Sequence, residues 1–237
     1  MAASPAPDLG RDAVVIFALF DIAPAHRAWG WWQFVVGRRR LRSVPGLRFA
    51  KLLGSGHEGR FGLKPSASIQ GVFCIFDDDA SADAFTQDGG LLQTWRSRAR
   101  EHFCLRLRAC SSRGSWSGIP LPVTAALPAQ GPIASLTRAS IRPGRAAAFW
   151  RMEPAAERSL TEASGCLLAV GVGEAPLLRQ ATFTLWESVA AMDAYARRGA
   201  HLAAIRAAAE RGFFSESMFV RFVPQRTEGS WRGHRLG

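Results

Sequence analysis

The sequence contains no apolar run long enough to cross a bilayer. Its uninterrupted apolar stretches, such as 13–20, fall well short of the roughly 18 residues a spanning helix requires. No spanning helix is expected. Met1–Gly10 lacks a basic region followed by an apolar core, so no secretory leader is expected and the cytoplasm is the expected compartment. Cysteine is sparse: Cys74, Cys104, Cys110 and Cys166 lie far apart with no C-x-x-C pair, which excludes a zinc knuckle or a dithiol centre. They are read as buried, reduced thiols. Lysine is nearly absent, with Lys51 and Lys64 the only two among thirty Lys and Arg. No serine elbow, H-E-x-x-H, P-loop or strand-to-helix G-x-G-x-x-G occurs, so hydrolase, zinc-protease, nucleotidyl-transfer and flavin chemistry have no foothold.

What is present is a chain of 237 residues, 48% hydrophobic, enough for one large core or two small fused ones. The net charge of +11 calls for an anionic counterpart: nucleic acid, an anionic lipid surface, an acidic electron donor or a propionate-bearing cofactor. Part of this arginine excess is compositional.

The sequence repeats itself. Gly114-Ser-Trp-Ser-Gly118 returns as Gly229-Ser-Trp-Arg-Gly233, and Arg106 falls on Arg221. Phe73, Asp83, Ala84 and Phe85 fall on Phe183, Asp193, Ala194 and Tyr195; Ala50 and Gly54 fall on Ala169 and Gly173, and Trp32 on Trp150. Each copy reads strand, helix, strand, strand, helix, strand. In the first copy the elements are 14–20, 26–36, 47–53, 70–76, a helical pair 79–85 and 91–100, and 103–107. In the second they are 133–141, 145–150, 166–172, 181–186, a helical pair over 190–211, and 218–223. The expected organisation is a tail over 1–10, a first half over 11–118, a Pro-rich linker over 119–130, a second half over 131–233 and a tail over 234–237. A βαββαβ unit is ferredoxin-like, with helices on one sheet face and the other face in need of a partner. Two such units packed sheet to sheet give an α+β barrel within one chain, equivalent to a dimeric α+β barrel.

The stretches Val44-Pro-Gly-Leu-Arg-Phe-Ala-Lys-Leu-Leu-Gly-Ser-Gly56, Gly114-Ser-Trp-Ser-Gly118, Leu136-Thr-Arg-Ala-Ser-Ile-Arg-Pro143, 169–186, Gly212-Phe-Phe-Ser215 and 229–233 resemble the spheroidene monooxygenase (acyclic carotenoid 2-ketolase) family. The resemblance spans nearly the whole chain. It implies oxygenation of an acyclic carotenoid by O2, haem b as the oxygen-activating cofactor, and a small redox protein such as a ferredoxin as electron donor. Ala50 stands where the family pattern calls for an aromatic, and His57 interrupts a glycine and arginine stretch, which leaves room for a substrate other than the family's namesake.

A haem needs an axial ligand. His201 is the candidate, because Ala204, Ile205 and Ala208 follow at i+3, i+4 and i+7 and make a small apolar face on which a flat macrocycle could lie. The matching position of the first half is Leu91. The family's Tyr- and Arg-containing segment before a His falls on 194–201. A solvated His at a helix start is the competing reading. His57 ranks second; His26, His102 and His234 read as cap, half-exposed and tail residues. On the oxygen side a cation or hydrogen-bond donor is expected, with Arg138 first and Gln180 and Lys51 behind it, against outward-pointing strand side chains as the alternative. Helix 28–36 is apolar over roughly 220° of its circumference, more than one sheet face can cover. With Arg38, Arg39, Arg40 and Arg42 following, the surplus fits a peripheral contact with an anionic inner-membrane surface or, equally, a protein interface. Trp116 and Trp231 are expected to pack the barrel ends without chemistry. The competing functions are a cofactor-free oxygenase on the same barrel and a non-enzymatic haem or lipid carrier. RNA binding is least supported, since no RNP1 pattern is present.

Overall fold

A computed structural model describes residues 9–10, 12–59, 64–87, 89–175, 177–197 and 211–235. The first strand, β1 (Val14–Ile22), is β-branched and aromatic and is buried on both faces. There follow α1 (Arg27–Arg42), β2 (Leu47–Gly56), β3 (Pro65–Phe76), α2 (Asp79–Thr86), the short α3 (Gln93–Arg96) and β4 (Ala99–Gly114). The second half runs β5 (Ile133–Ile141), α4 (Ala146–Thr161), β6 (Cys166–Ala175), β7 (Arg179–Trp186), α5 (Val189–Ala196) and β8 (Phe214–Gly229). Between them, 120–132 is irregular but seated: Leu121 is buried and the Thr124 amide donates to Ala109 O at 2.8 Å.

The eight strands close in the order β1-β3-β2-β6-β7-β5-β8-β4. Each half contributes a ferredoxin-like sheet, β4-β1-β3-β2 and β8-β5-β7-β6, and every pairing is antiparallel. The two junctions between halves are unequal. β4 and β8 pair from Phe103 opposite Gly229 to Gly114 opposite Met218, whereas β2 and β6 pair only at Gly54 with Gly173 and Ser55 with Val172.

The barrel interior is filled by alternate residues of both sheets, among them Phe17, Leu19, Phe73, Leu105, Leu136, Phe183 and Phe222. Phe17 stacks on Phe183 across the middle at 3.8 Å, tying one half to the other. Each fully buried side chain of this size contributes about 1.5–3 kcal/mol. The opposite faces of β1 and β3 carry Ile16, Phe20, Cys74 and Phe76 beneath Leu41, Phe85 and Trp95 of the helices. In the second half Ile133 and Trp186 lie under Leu160 and Met192.

Both copies of Gly-Ser-Trp-x-Gly form the same turn. Gly114 and Gly229 adopt φ of 86° and 83°, and a Cβ there would lie 2.0 Å from Ser217 O and 2.2 Å from His102 O. Each turn is held by a glutamate of the opposite half. Glu216 accepts from Ser115 Oγ and the Gly118 amide, and Glu101 accepts from Ser230 Oγ and the Arg232 and Gly233 amides. The repeat extends to an ion pair: Arg106 meets Asp83, and Arg221 meets Asp193 at 2.8 Å.

Several expected boundaries shift. α1 continues past Val36 because Gly37 allows close seating on β2; a Cβ there would lie 2.6 Å from Leu52. The two 16-residue helices therefore align Trp31, rather than Trp32, with Trp150. The segment expected as helix over 91–100 is helical only at Gln93–Arg96, since Ala99 already pairs with Ile22. β4 and β8 extend far beyond 103–107 and 218–223 because they pair with each other. α4 runs on to Thr161, and the expected second helix after α5 lies largely outside the described residues. Cys74 and Cys104 are buried and reduced, while Cys110 and Cys166 are only half-buried.

Candidate active site

After their two residue pairs, β2 and β6 diverge. α1 lies close over β2 because Gly30 and Gly37 face the sheet; a Cβ at Gly30 would lie 2.7 Å from the Gln70 amide. Between α1 and the diverging strands opens a cleft of about 240 Å³, walled by Trp31, Phe34, Gly54, Ile69, Val172 and Leu177, with Glu174 and Gln180 also in its lining. Several of its polar groups are already engaged. Ser55 Oγ donates to Gly171 O at 2.5 Å, Gln180 Nε2 donates to Ala175 O at 3.3 Å, and Gln70 Oε1 accepts from Trp95 Nε1 at 3.4 Å. The cleft thus offers an aromatic and aliphatic wall with few free polar groups, which suits an apolar ligand.

Glu174 connects the cleft to the barrel interior. It follows Leu168, Val170 and Val172 on the inward-facing side of β6, where a carboxylate is costly without partners. Its carboxylate accepts from Lys51 Nζ at 2.8 Å, from Trp116 Nε1 at 2.5 Å and from Arg138 at 3.3 Å. Arg138 is 2% exposed and forks to Glu216 as well. Its guanidinium lies 5.6 Å from the Trp116 ring, and Lys51 Nζ, which also donates to Ser117 Oγ at 2.8 Å, lies 5.1 Å from Phe49. Burial alone would raise the Glu174 carboxyl. The hydrogen bonds from Lys51 and Trp116 and the charges of Lys51 and Arg138 outweigh it and hold the carboxyl below the usual glutamate range. Glu216 behaves likewise, burial being outweighed by the Gly118 amide, Ser115 and Arg138. Two cations and two anions balance, so the cluster is a fixed, electrically neutral polar group at the inner wall of the cleft.

The repeat supplies an internal comparison. With Val14 of β1 matched to Ile133 of β5, and Gly54 of β2 to Gly173 of β6, Arg138 corresponds to Leu19, Glu174 to Ser55 and Lys51 to Val170. At these three positions the other end carries an apolar pair and one serine, while Glu101, the counterpart of Glu216, keeps its charge there. Charge at these positions is therefore not a requirement of the barrel. Buried ion pairs are seldom retained for stability alone.

The structure brings together two of the three residues expected on the oxygen side. Lys51 and Arg138 meet on Glu174, and Gln180 faces the cleft from the outer side of β7. Arg138 does not itself line the cleft and reaches it through Glu174. Trp116, expected to be only packing, donates the third hydrogen bond to Glu174. Glu174 and Glu216 are not among the expected residues, although Glu174 carries the same signal as Arg138, a charge in register with an apolar strand face. His201, Ala204, Ile205 and Ala208 lie outside the described residues. His57 is exposed beside the cleft residue Gly56, and His102 is half-buried in β4, its imidazole pushed to lower pKa by burial and by Arg96.

Among the described residues the cleft lining contains no His, Cys, Met or Tyr, the side chains that ligate haem iron. The described part of the cleft therefore does not by itself fit an axially ligated haem.

No family model matches the chain. It is 55% identical over 98% of its length to spheroidene monooxygenase of Rubrivivax gelatinosus, covering 90% of that protein. It is 39% identical over 86% of its length to spheroidene monooxygenase of Rhodobacter capsulatus, covering 87% of that protein. Among solved structures it is similar to aldoxime dehydratase, with a TM-score of 0.57, 12% identity, and coverage of 90% of this chain and 81% of the other. That likeness concerns the fold alone.

Proposed function

The chain belongs to the spheroidene monooxygenase family, and we propose that it is an oxygenase that oxidises an acyclic carotenoid near one end, using O2 and electrons from an external donor such as a ferredoxin. The observation that carries this reading is the 55% identity to the Rubrivivax gelatinosus enzyme, maintained over 98% of the chain. The cleft supports it with an apolar wall for a hydrocarbon body and one polar terminus, Glu174, for the end group. One oxygen atom enters a C–H bond and the other leaves as water, so each insertion consumes two electrons and two protons.

In this reading Trp31, Phe34 and Val172 hold the polyene and exclude water. Glu174, fixed by Lys51, Arg138 and Trp116, sets how far the chain slides in, and therefore which carbon is presented. Arg138 is a positioning residue, since both its carboxylate partners are already in place.

The family resemblance supports haem b as the group that would activate O2, and His201, Ala204, Ile205 and Ala208 are the residues that would hold it. When bound it would supply the oxidising power that none of the 20 side chains has. A spectrum of the purified protein with dithionite and CO tests this, and His201→Ala is expected to lose the Soret absorbance while remaining folded. Unchanged haem content in that variant would remove the ligand assignment. The activity itself is tested in cells that accumulate spheroidene under isotopically labelled O2. Pigment carrying the label is expected; haem-replete cells that make the protein and leave the pigment unlabelled would overturn the reading.

A further inference from the structure

α1 presents two faces. Gly30, Gln33, Gly37 and Leu41 are buried against the sheet. At about 100° per residue, Trp31, Trp32, Val35, Arg38, Arg39 and Arg42 fall within an arc of roughly 120° on the other side. Trp31 is 50%, Trp32 58% and Val35 65% exposed. The face is divided along its length, with the apolar residues in its N-terminal half and the arginines in its C-terminal half.

Two observations argue against a purely structural origin. First, Arg38, Arg39 and Arg42 stand exposed on one helix face with no carboxylate partner among the described residues, although like charges three and four residues apart repel one another. Second, the equivalent helix α4 has the same length and covers the equivalent sheet. Aligned from their first residues, Arg38, Arg39, Arg40 and Arg42 correspond to Glu157, Arg158, Ser159 and Thr161. Favourable interaction with the helix dipole would ask for cations at both C-termini. Only one has the cluster.

The exposed face also adjoins the cleft. Trp31 belongs to both, and Leu177, 44% exposed, stands on the lining as well. A hydrocarbon substrate would be dissolved in lipid, so an entrance rimmed by interfacial residues spares it a passage through water. We propose that this face of α1 docks on an anionic lipid bilayer, with Trp31, Trp32 and Val35 at the headgroup and acyl boundary, Arg38, Arg39 and Arg42 on lipid phosphates, and the cleft mouth turned toward the lipid. The entry role rests on the carotenoid reading; the docking does not.

The test is flotation of the full chain, without substrate, on phosphatidylcholine vesicles with and without phosphatidylglycerol. Binding is expected only with the anionic lipid and falls with salt. At about 1 kcal/mol per arginine near such a surface, and 1.4 kcal/mol per tenfold, Arg38→Gln, Arg39→Gln and Arg42→Gln together weaken it about a hundredfold. The same triple variant keeps its oxygenation rate in detergent micelles and loses it on anionic vesicles, while Trp32→Ser weakens flotation separately. Equal binding to neutral vesicles, indifference to the arginine changes, or a stable dimer dispersed by Trp32→Ser would overturn the proposal. Oxygenation in micelles without flotation would remove the docking alone, and flotation without oxygenation would remove the carotenoid reading alone.

Discussion

The repeat permits an exchange of one barrel end for the other. Arg138→Leu, Glu174→Ser and Lys51→Val together install the residues that the fold already uses at Leu19, Ser55 and Val170. Taken singly, Arg138→Leu leaves Glu174, with a side chain only 3% exposed, on Lys51 and Trp116 alone. Breaking a buried ion pair costs about 3–5 kcal/mol. The lower figure, about 3, applies because Glu174 and Glu216 each retain other donors. At about 2–4 °C per kcal/mol for a domain of this size, the single variant should melt roughly 6–12 °C lower. The triple variant removes three of the cluster's four charges and leaves Glu216 on Ser115 Oγ and the Gly118 amide. Replacing a buried ion cluster by apolar residues regains about 1–4 kcal/mol, and the Trp116 N–H left without Glu174 costs about 1–3 kcal/mol. These nearly cancel, so the triple variant is expected within about 2 kcal/mol of the parent, more stable than Arg138→Leu alone, folded, and unable to oxygenate. Urea and thermal denaturation with a common slope measure this. A triple variant as unstable as the sum of its parts would show that the barrel itself needs the charges, and full activity in it would remove Glu174 from the site.

Two further outcomes follow from the same geometry. Glu101, Glu174 and Glu216 each have folded values below the ordinary glutamate value of 4.5, so their contribution to stability is complete above that value and is lost as pH falls through the lowered ones. Urea midpoints between about pH 3 and 7 should show this loss, and Glu174→Gln should flatten it; an unchanged acid limb would contradict the assigned ionisation. Gly114→Ala should destabilise the protein by more than about 1 kcal/mol, because its positive φ and the nearby Ser217 carbonyl both reject a Cβ. A neutral effect on the melting temperature would contradict the turn geometry.

The fold was legible because its strands obey local rules and because the chain states its plan twice. β5 matches its expected bounds, an apolar run between Pro132 and Arg142, and its copy β1 departs from expectation only at the C-terminal end. β4 and β8 exceed their expected lengths, which fall short because Arg106, Arg108, Ser111 and Arg113 suggest a chain leaving the core. In fact they continue a ladder whose partner lies more than a hundred residues away. α1 exceeds its expected length, which falls short because Gly37 and the arginines look like a helix end, whereas that glycine serves contact with Leu52. The same local reason, a cation within an apolar strand, singles out Arg138 and Lys51, which the structure brings together on Glu174. That they converge on one carboxylate was not legible, since β2, β5 and β6 meet only when the barrel closes.

The unequal junctions give the cylinder a hinge and a latch. Along β4 and β8 the halves are joined over eleven residue pairs, and separating them would break a whole ladder. Along β2 and β6 they are joined at Gly54 with Gly173 and at Ser55 with Val172, reinforced by Ser55 Oγ on Gly171 O and by Lys51 on Glu174. At about 1 kcal/mol net per hydrogen bond, that line is far the cheaper to part. Thermal breathing of the barrel is therefore concentrated in one slit, and amide hydrogens flanking it should be the first of the sheet to exchange. Both residue pairs of that junction, Gly54 with Gly173 and Ser55 with Val172, line the cleft. Parting that line would widen the cleft, and the Lys51–Glu174 ion pair is one of the contacts that resists it.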